Sequence, residues 1–256
     1  MESLFAITLF GVIVLIPFTY QNIPELLINP KLWILILASI ILLFAALLDF
    51  EALKKGKLDI VEPIWSLEIP VSAFLAFMII KEKISFMQII LIILLIIGLI
   101  LVSFKSLKFS RKIFLEKGVI IAIIAAILMG TANFFIGWGA RISDALMINF
   151  FLNVFIAFFS FIFILSSKGL SKFYSDIKKD KKLWLGMCIF DNVAWIAFAF
   201  AMSLAPIAIA VALSDSYIII AVLLGMFVNK EFLHKHQKLG LIIAIASALS
   251  LACITF

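Results

Sequence analysis

The chain has 256 residues, of which 66% are hydrophobic and 14% are charged. Soluble domains carry about 45–50% apolar and about 25% charged residues, so this composition excludes a water-soluble globule. The formal net charge of +6 does not indicate a nucleic-acid partner. The lysines form short clusters between apolar runs, which is how membrane proteins distribute positive charge on their cytoplasmic side.

Nine apolar segments meet or approach the roughly 17–25 residues that a helix needs to cross a bilayer. They do not alternate apolar with polar residues, as barrel strands do, so helices are favoured. The first segment follows Met1-Glu2-Ser3 without a Lys or Arg, which favours a spanning helix over a signal peptide. The predicted spans are residues 3–20, 32–50, 60–80, 86–104, 118–139, 143–165, 183–203, 207–228 and 238–255.

Lysine and arginine are unevenly distributed over alternate joints between these spans. One side of the membrane receives 17 of them, and the other receives only Lys31, Lys81, Lys83 and Arg141. The positive-inside rule therefore predicts a cytoplasmic N-terminus and an external C-terminus. We expect a multi-pass protein of the plasma membrane.

An internal repeat is visible at an offset of 149 residues. A repeat of five helices is odd, so two copies in tandem have opposite orientations in the membrane, and transporters of this plan hold their substrate near the midplane. The corresponding pairs are Glu82 and Glu231, Gln88 and Gln237, Ala52 and Ala201, Ser66 and Asp215, and Glu68 and Tyr217.

The repeat divides the chain into three parts. We expect a first repeat of four helices at residues 1–104, a basic connecting loop at 105–117, and a second repeat of five helices at 118–256. The span at 3–20 corresponds to that at 143–165, so the first repeat holds no counterpart of the span at 118–139.

Several short motifs, weak singly, occur in an order and spacing that cover essentially the whole chain. They are the Ala52-Leu53 joint, Pro63, Pro70, the turn from Glu82 to Gln88, Gly130, Asn133, Gly137, Trp138, Gly139, the segment from Ala201 to Pro206, the turn from Glu231 to Gln237, and Gly240. In these the chain resembles the drug/metabolite transporter superfamily, in its EamA-type branch of ten-helix transporters. The resemblance implies that the family's first helix is absent here, and that both termini are cytoplasmic, which the lysine count contradicts for the C-terminus. It also makes export of metabolites, amino acids or drugs an expectation.

Acidic residues inside apolar spans are the candidates for a binding site, because a charge at the bilayer centre costs about 2.5–3.5 kcal/mol or more. No Lys or Arg lies at comparable depth, so a cavity lined by these acids is net negative or its acids are protonated. The four acids are Glu62, Glu68, Asp191 and Asp215.

Glu68 is predicted to be the deepest acid, about two and a half turns into its helix, whereas Glu62 lies near the entrance of the same span. The repeat places the group around Glu68 opposite the group around Asp215, which makes the two groups a candidate substrate site. The alternative is hydrogen bonding between packed helices. The candidate residues are Glu68, Ser66 and Trp65 in the first group and Asp215, Ser214 and Tyr217 in the second.

A second candidate cluster consists of Asp191, Asn192 and Trp195. Positions 191 and 195 share a helix face, so a cation would meet both a carboxylate and an indole. The alternative is an acid near a helix end with its tryptophan at the membrane interface. Asn133, in the middle of its span, is a further candidate for the substrate site, with a bridge between helices as the alternative.

Signatures of catalysis are absent from the sequence, which holds no H-E-x-x-H, G-x-S-x-G or P-loop motif. We therefore expect no enzyme, no cofactor and no metal site. His234 and His236 lack nearby cysteine or acidic ligands, and Cys188 and Cys253 fall within apolar runs, which gives a disulfide little support.

The sequence as a whole favours a secondary transporter that works by alternating access. Its expected partners are the lipid bilayer and a small-molecule substrate, either an amine or cationic compound, an amino acid or another metabolite. Protons as the coupling ion and a homodimer are left open. The alternative is a membrane assembly subunit completed by a partner helix or by dimerisation. A channel has less support, because no charged ring or filter motif is legible.

Overall fold

The computed structural model describes residues 1–56, 58–104, 116–166, 170–228, 230 and 232–255. Most of the predicted basic loop at 105–117 and the repeat residue Glu231 lie outside the described residues. Within them the chain forms thirteen helices: α1 (Glu2–Thr19), α2 (Ile23–Ile28), α3 (Leu32–Lys55), α4 (Leu58–Trp65), α5 (Glu68–Ile80), α6 (Phe86–Ser103), α7 (Lys117–Ile142), α8 (Ala145–Ser166), α9 (Leu170–Lys179), α10 (Lys181–Leu204), α11 (Ile207–Asp215), α12 (Tyr217–Val228) and α13 (Lys235–Thr255).

Nine stretches of the described chain are long and apolar enough to cross a membrane. The prediction of an all-helical protein with nine spans is therefore confirmed, with boundaries that move by only a few residues. The spans are Glu2–Thr19, Leu32–Lys55, Ile60–Ile80, Phe86–Ser103, Lys117–Ile142, Ala145–Ser166, Lys181–Leu204, Ile207–Val228 and Lys235–Thr255.

The sequence analysis expected each span to be one continuous helix. In the structure the third and eighth spans are each divided into two helices. The third is broken between α4 and α5 because Pro70 has no N–H to donate to Ser66, whose carbonyl instead accepts from Ile69 N at 3.3 Å. The eighth is broken at Ser216, whose hydroxyl donates to the carbonyl of Leu213. The repeat offset relates Ser66 to Asp215, so the two breaks occupy corresponding positions.

Two short helices occupy joints that the sequence analysis treated as irregular. One is α2, which begins with Pro24 in its first turn. The other is α9, in which Phe173 packs edge-on against both Phe5 and Trp184. These contacts fix α9 to α1, which contains Phe5, and to α10, which contains Trp184.

The helices form two compact units. The first contains residues 1–43 and 135–204, and the second contains residues 44–134 and 205–256. In the first unit α1 packs on α8 and α10; in the second α6 packs on α13, and α5 packs on α11. The units are not the sequence repeats, because each combines parts of both.

The pair α6 and α13, which are equivalent in the repeat, packs antiparallel. The amide of Gln88, at the start of α6, donates to Thr255 Oγ1 at the end of α13, at 3.3 Å. The amide of Gln237, at the start of α13, donates to the carbonyl of Val102 at the end of α6, at 2.9 Å. Equivalent glutamines therefore make opposite cross-links, as an inverted repeat requires.

Close backbone contact holds these two helices together. A Cβ added to Gly98 would lie 2.7 Å from Ala244 N, and one added to Gly240 would lie 2.8 Å from the carbonyl oxygen of Gly98. Between helices in lipid, where no hydrophobic effect drives association, such small residues allow the dispersion contacts that stabilise a pair.

We predict that Gly98→Ala lowers the free energy of unfolding by about 1–3 kcal/mol, because its methyl group meets backbone that cannot move aside. The matched control is Gly186→Ala in α10, where an added Cβ meets no atom within 4 Å. Thermal unfolding in detergent should show a lower midpoint for the first variant and an unchanged or higher one for the second. Equal effects would contradict this account of the helix pair.

Candidate functional site

Glu68 is the first residue of α5, directly after the break in the third span. Sequence reasoning placed it deep inside a continuous helix; the break puts its carboxyl at a helix N-terminus instead. Asn133 Nδ2 on α7 donates to Glu68 Oε2 at 3.0 Å. Gly130, one turn earlier on α7, leaves room for the broken backbone, since a Cβ there would lie 2.7 Å from the carbonyl oxygen of Glu68.

Asp215 is the last residue of α11, directly before the break in the eighth span. Tyr217 begins α12 on the other side of that break and is 49% exposed. Ser214 has an exposed side chain. The carboxyl of Glu68 interacts electrostatically with that of Asp215, so the structure brings these two predicted residues into one neighbourhood.

A third carboxyl belongs to the same neighbourhood. Asp49 on α3 interacts electrostatically with Glu68, and its carboxyl is approached by the indole of Trp65. Asp49 Oδ1 and Trp65 Nε1 are nevertheless both buried without a partner at hydrogen-bond geometry, and so is Ser66 Oγ in the break itself. The site therefore contains buried acceptors and donors that the described protein atoms leave unsatisfied.

The position of these groups along their spans is close to the middle. Glu68 is the ninth residue of the span Ile60–Ile80, and Asp215 is the ninth of Ile207–Val228. At about 1.5 Å per residue, each lies roughly 12 Å from the start of its span, in a hydrocarbon core about 30 Å thick.

Seven of the ten predicted site residues lie in the second unit. They are Trp65, Ser66, Glu68, Asn133, Ser214, Asp215 and Tyr217. The described lysines of this unit all lie beyond the helices or within about one turn of a helix end, and it contains no described arginine. Among the residues that the structure describes in this unit, no Lys or Arg therefore lies at the depth of Glu68 and Asp215.

The remaining three predicted residues, Asp191, Asn192 and Trp195, lie on α10 in the first unit. Asn192 is 5% exposed, and its amide donates to the carbonyls of Ile7 and Cys188 while its oxygen accepts from Asn153. In this arrangement Asn192 joins α1, α8 and α10. Its role as a substrate ligand remains a prediction, as do those of Asp191 and Trp195.

Gly11 completes this junction between helices. A Cβ at Gly11 would lie within 2.7 Å of the side chains of Asn153 and Asn192, so only glycine leaves the two amides room to meet α1. Sequence reasoning missed Gly11, because a glycine in the middle of an apolar span carries no sign of the amides that oppose it.

Two further residues that matter here were missed or misread. Asp49 lies one residue before the end of the predicted span 32–50 and was not counted among the acids inside spans. The signal was local: Glu51 pairs with Lys55 four residues on, at 2.6 Å, whereas Asp49 has no basic residue at that spacing. Glu82 was considered only as a turn residue of the repeat. In the structure Glu82 Oε2 accepts from Ile207 N at 2.9 Å and so caps α11, far along the chain.

Metal binding receives no support from the described residues, among which no group of three or more His, Cys, Asp or Glu converges as ligands would. A polar pocket of about 100 Å³ in the first unit is lined by Asn22, Glu25, Leu26, Asn29, Ile142, Ser143, Asp144 and Met147. None of the predicted site residues lines it. Asp144 there accepts from Leu146 N and Met147 N as an ordinary helix cap.

Comparison with known proteins gives a family and a fold. The family model described as "EamA-like transporter family" matches residues 1–104 and 116–253. A solved structure described as "Crystal structure of protein" is similar, with a TM-score of 0.73 and 14% identity over 99% of this chain and 87% of that chain. At this identity the likeness shows the fold alone. No curated protein sequence matches the chain.

We predict a favourable coupling between Asn133 and Glu68. A double-mutant cycle with Asn133→Ala and Glu68→Ala should give a coupling free energy of about 0.6–2 kcal/mol, because each single change leaves the other group unsatisfied in a nonpolar setting. The measurement is denaturant unfolding in detergent. Thr131→Ala, which removes a hydroxyl bonded only within α7, should show no coupling with Glu68→Ala. An additive cycle for Asn133 and Glu68 would contradict the observed hydrogen bond.

Proposed function

Since the chain belongs to the EamA-like transporter family, we propose that it moves small amine or other cationic compounds across the plasma membrane by alternating access. Family membership makes the chain a multi-pass membrane protein of the drug/metabolite transporter type, with a small molecule as its substrate. The family is generally non-enzymatic. The substrate class, the coupling and the site residues are our proposal.

The observation that supports a cationic substrate is the group of carboxyls at mid-span in the second unit. Glu68 and Asp215 interact electrostatically, and the described part of this unit has no lysine or arginine at their depth. Carboxyls buried together cannot all be ionised without a cation among them. A substrate ammonium group would supply that cation.

The two helix breaks support the same assignment. In discontinuous spanning helices the polar backbone and side chains at the break are tolerated where they line a cavity or a ligand site. Glu68 and Asp215 flank two such breaks, and the breaks lie at corresponding positions of the repeat. A symmetrical location of this kind suits a site that opens alternately to either side.

Proton exchange follows from the same chemistry. An ammonium group and a proton each neutralise one carboxylate, so the binding of one opposes the binding of the other. A proton gradient would therefore drive an amine in the opposite direction, with Glu68 and Asp215 carrying protons on the return step.

We predict that Glu68→Gln lowers amine uptake by about 100-fold or more, since it removes the negative partner of a desolvated ammonium. The measurement is uptake into proteoliposomes of a pooled panel of amines, amino acids and cationic dyes, with and without an imposed pH gradient. Asp215→Asn should act in the same direction.

Glu51→Gln is the control, because that carboxylate is partly exposed and pairs with Lys55 on the same helix. Its uptake should match that of the parent. Uptake that persists in well-folded Glu68→Gln would refute a site at Glu68, and uptake indifferent to the pH gradient would refute proton exchange.

A further inference from the structure

We propose that Asp49, Trp65 and Ser66 form a second ammonium subsite, so that the transport site selects compounds with two ammonium groups over those with one. This inference rests on the proposed function and specifies its substrate class. The first ammonium would bind at Glu68 and Asp215, and the second at Asp49.

Two buried polar side-chain atoms, one on α3 and one on α4, lack hydrogen-bond partners. Asp49 Oδ1 and Trp65 Nε1 are buried and have no hydrogen-bond partner, although the indole and the carboxyl are close enough to interact. A buried carboxylate oxygen without a hydrogen-bond partner is destabilising. A ligand that donates a hydrogen bond to Asp49 Oδ1 would remove that penalty.

Ser66 supplies an independent sign of a ligand. Its side chain is 3% exposed, and Oγ has no partner even though it lies in the helix break, beside Trp65 and two residues before Glu68. Buried Ser39 and Ser72 each donate their hydroxyl to a carbonyl of their own helix, whereas buried Ser160, which lies in the first unit, also has no partner. What distinguishes Ser66 is its place in the helix break beside Trp65 and Glu68, where its hydroxyl oxygen would accept from an ammonium group.

The distribution of charge argues for two cations rather than one. The Tyr217 hydroxyl lies within electrostatic range of four carboxyls, those of Asp215, Glu62, Glu68 and Asp49. Yet no three of the described acids converge closely enough to hold one metal ion. Carboxyls that interact electrostatically but do not converge on one point suit two positive charges that an aliphatic chain holds apart.

Trp65 would contribute in two ways. The indole lies close to the Asp49 carboxyl without a hydrogen bond between the two groups, so a small rotation of that carboxyl would let it accept from the indole N–H while Oδ1 accepts from the ligand. Its ring and the neighbouring side chain of Ile64 pack against the apolar cluster of Ala52, Val61 and Ala122, which fixes the indole in place. An aliphatic chain between two ammonium groups would then lie against a preorganised apolar and aromatic surface.

Ordered water is the alternative occupant. One water molecule could satisfy both Asp49 Oδ1 and Trp65 Nε1, and protonation could neutralise Asp49. In that case a second ammonium group has no partner, and the protein should not distinguish a diamine from an otherwise matched monoamine. The two explanations therefore differ in a measurable selectivity.

The experiment compares putrescine with the amino alcohol of the same length, in which a hydroxyl replaces one ammonium group. Both compounds are tested on full-length protein, by uptake into proteoliposomes and by the shift in melting temperature that each produces in detergent. We expect the parent to favour putrescine by about 10-fold or more, as coupled close charges typically give. Asp49→Asn should reduce that preference to about threefold or less, while Glu51→Gln keeps it in full.

The outcomes separate this inference from the proposed function. If the parent protein shows equal uptake and equal melting-temperature shifts with putrescine and the amino alcohol, the second subsite is overturned. The proposal of amine transport is unaffected by that result. A parent preference that survives in Asp49→Asn overturns the assignment to Asp49. If Asp49→Asn fails to fold, Trp65→Phe, which keeps the ring but removes the N–H, must lower the preference or the inference is wrong. If no amine gives either uptake or a shift in melting temperature, the proposed function is overturned as well.

Discussion

The contact on which the second unit depends is the backbone approach of α6 and α13 at Gly98 and Gly240. In lipid, helices gain nothing by hiding apolar surface from water, so they associate through close dispersion contacts and a few hydrogen bonds. Gly98 lets the backbone of Ala244 come within van der Waals distance, and Gln88 and Gln237 fix the register at the two ends.

The broken spans are tolerated because other groups compensate for the lost helical hydrogen bonds. Bonds of the tighter i to i−3 type, such as those from Leu67 N and Ile219 N, continue across both breaks. Gly130 admits the displaced backbone of α5, and Glu82 caps the start of α11. With this support the polar residues at the breaks are held in place at mid-span, where carboxyls without positive partners favour cation binding or protonation.

Much of the fold was predictable, since span length and composition alone identify nine apolar helices, and the 149-residue offset reveals the repeat. The break near Ser66 could be suspected from Pro70. The break at Ser216 has no proline beside it, and there the Ser216 hydroxyl donates to the carbonyl of Leu213 in competition with the backbone N–H groups. Seven site residues were chosen from depth and symmetry, and the structure places them in one unit. Asp49 and Gly11 were not found, because their significance lies in residues brought near by folding: Trp65 and Glu68 for the first, Asn153 and Asn192 for the second.

The sequence repeat does not extend to the acidic residues of the candidate site. The offset relates Glu68 to Tyr217 and Ser66 to Asp215, so each repeat places one carboxyl at its break but at a position two residues different. It relates Asp49 to Phe198, so the third carboxyl occurs in the first repeat only. An asymmetrical set of charges gives a bound molecule one preferred orientation. The diamine that we propose as substrate would therefore meet unlike surroundings at its two ends, Glu68 and Asp215 at one end and Asp49 at the other.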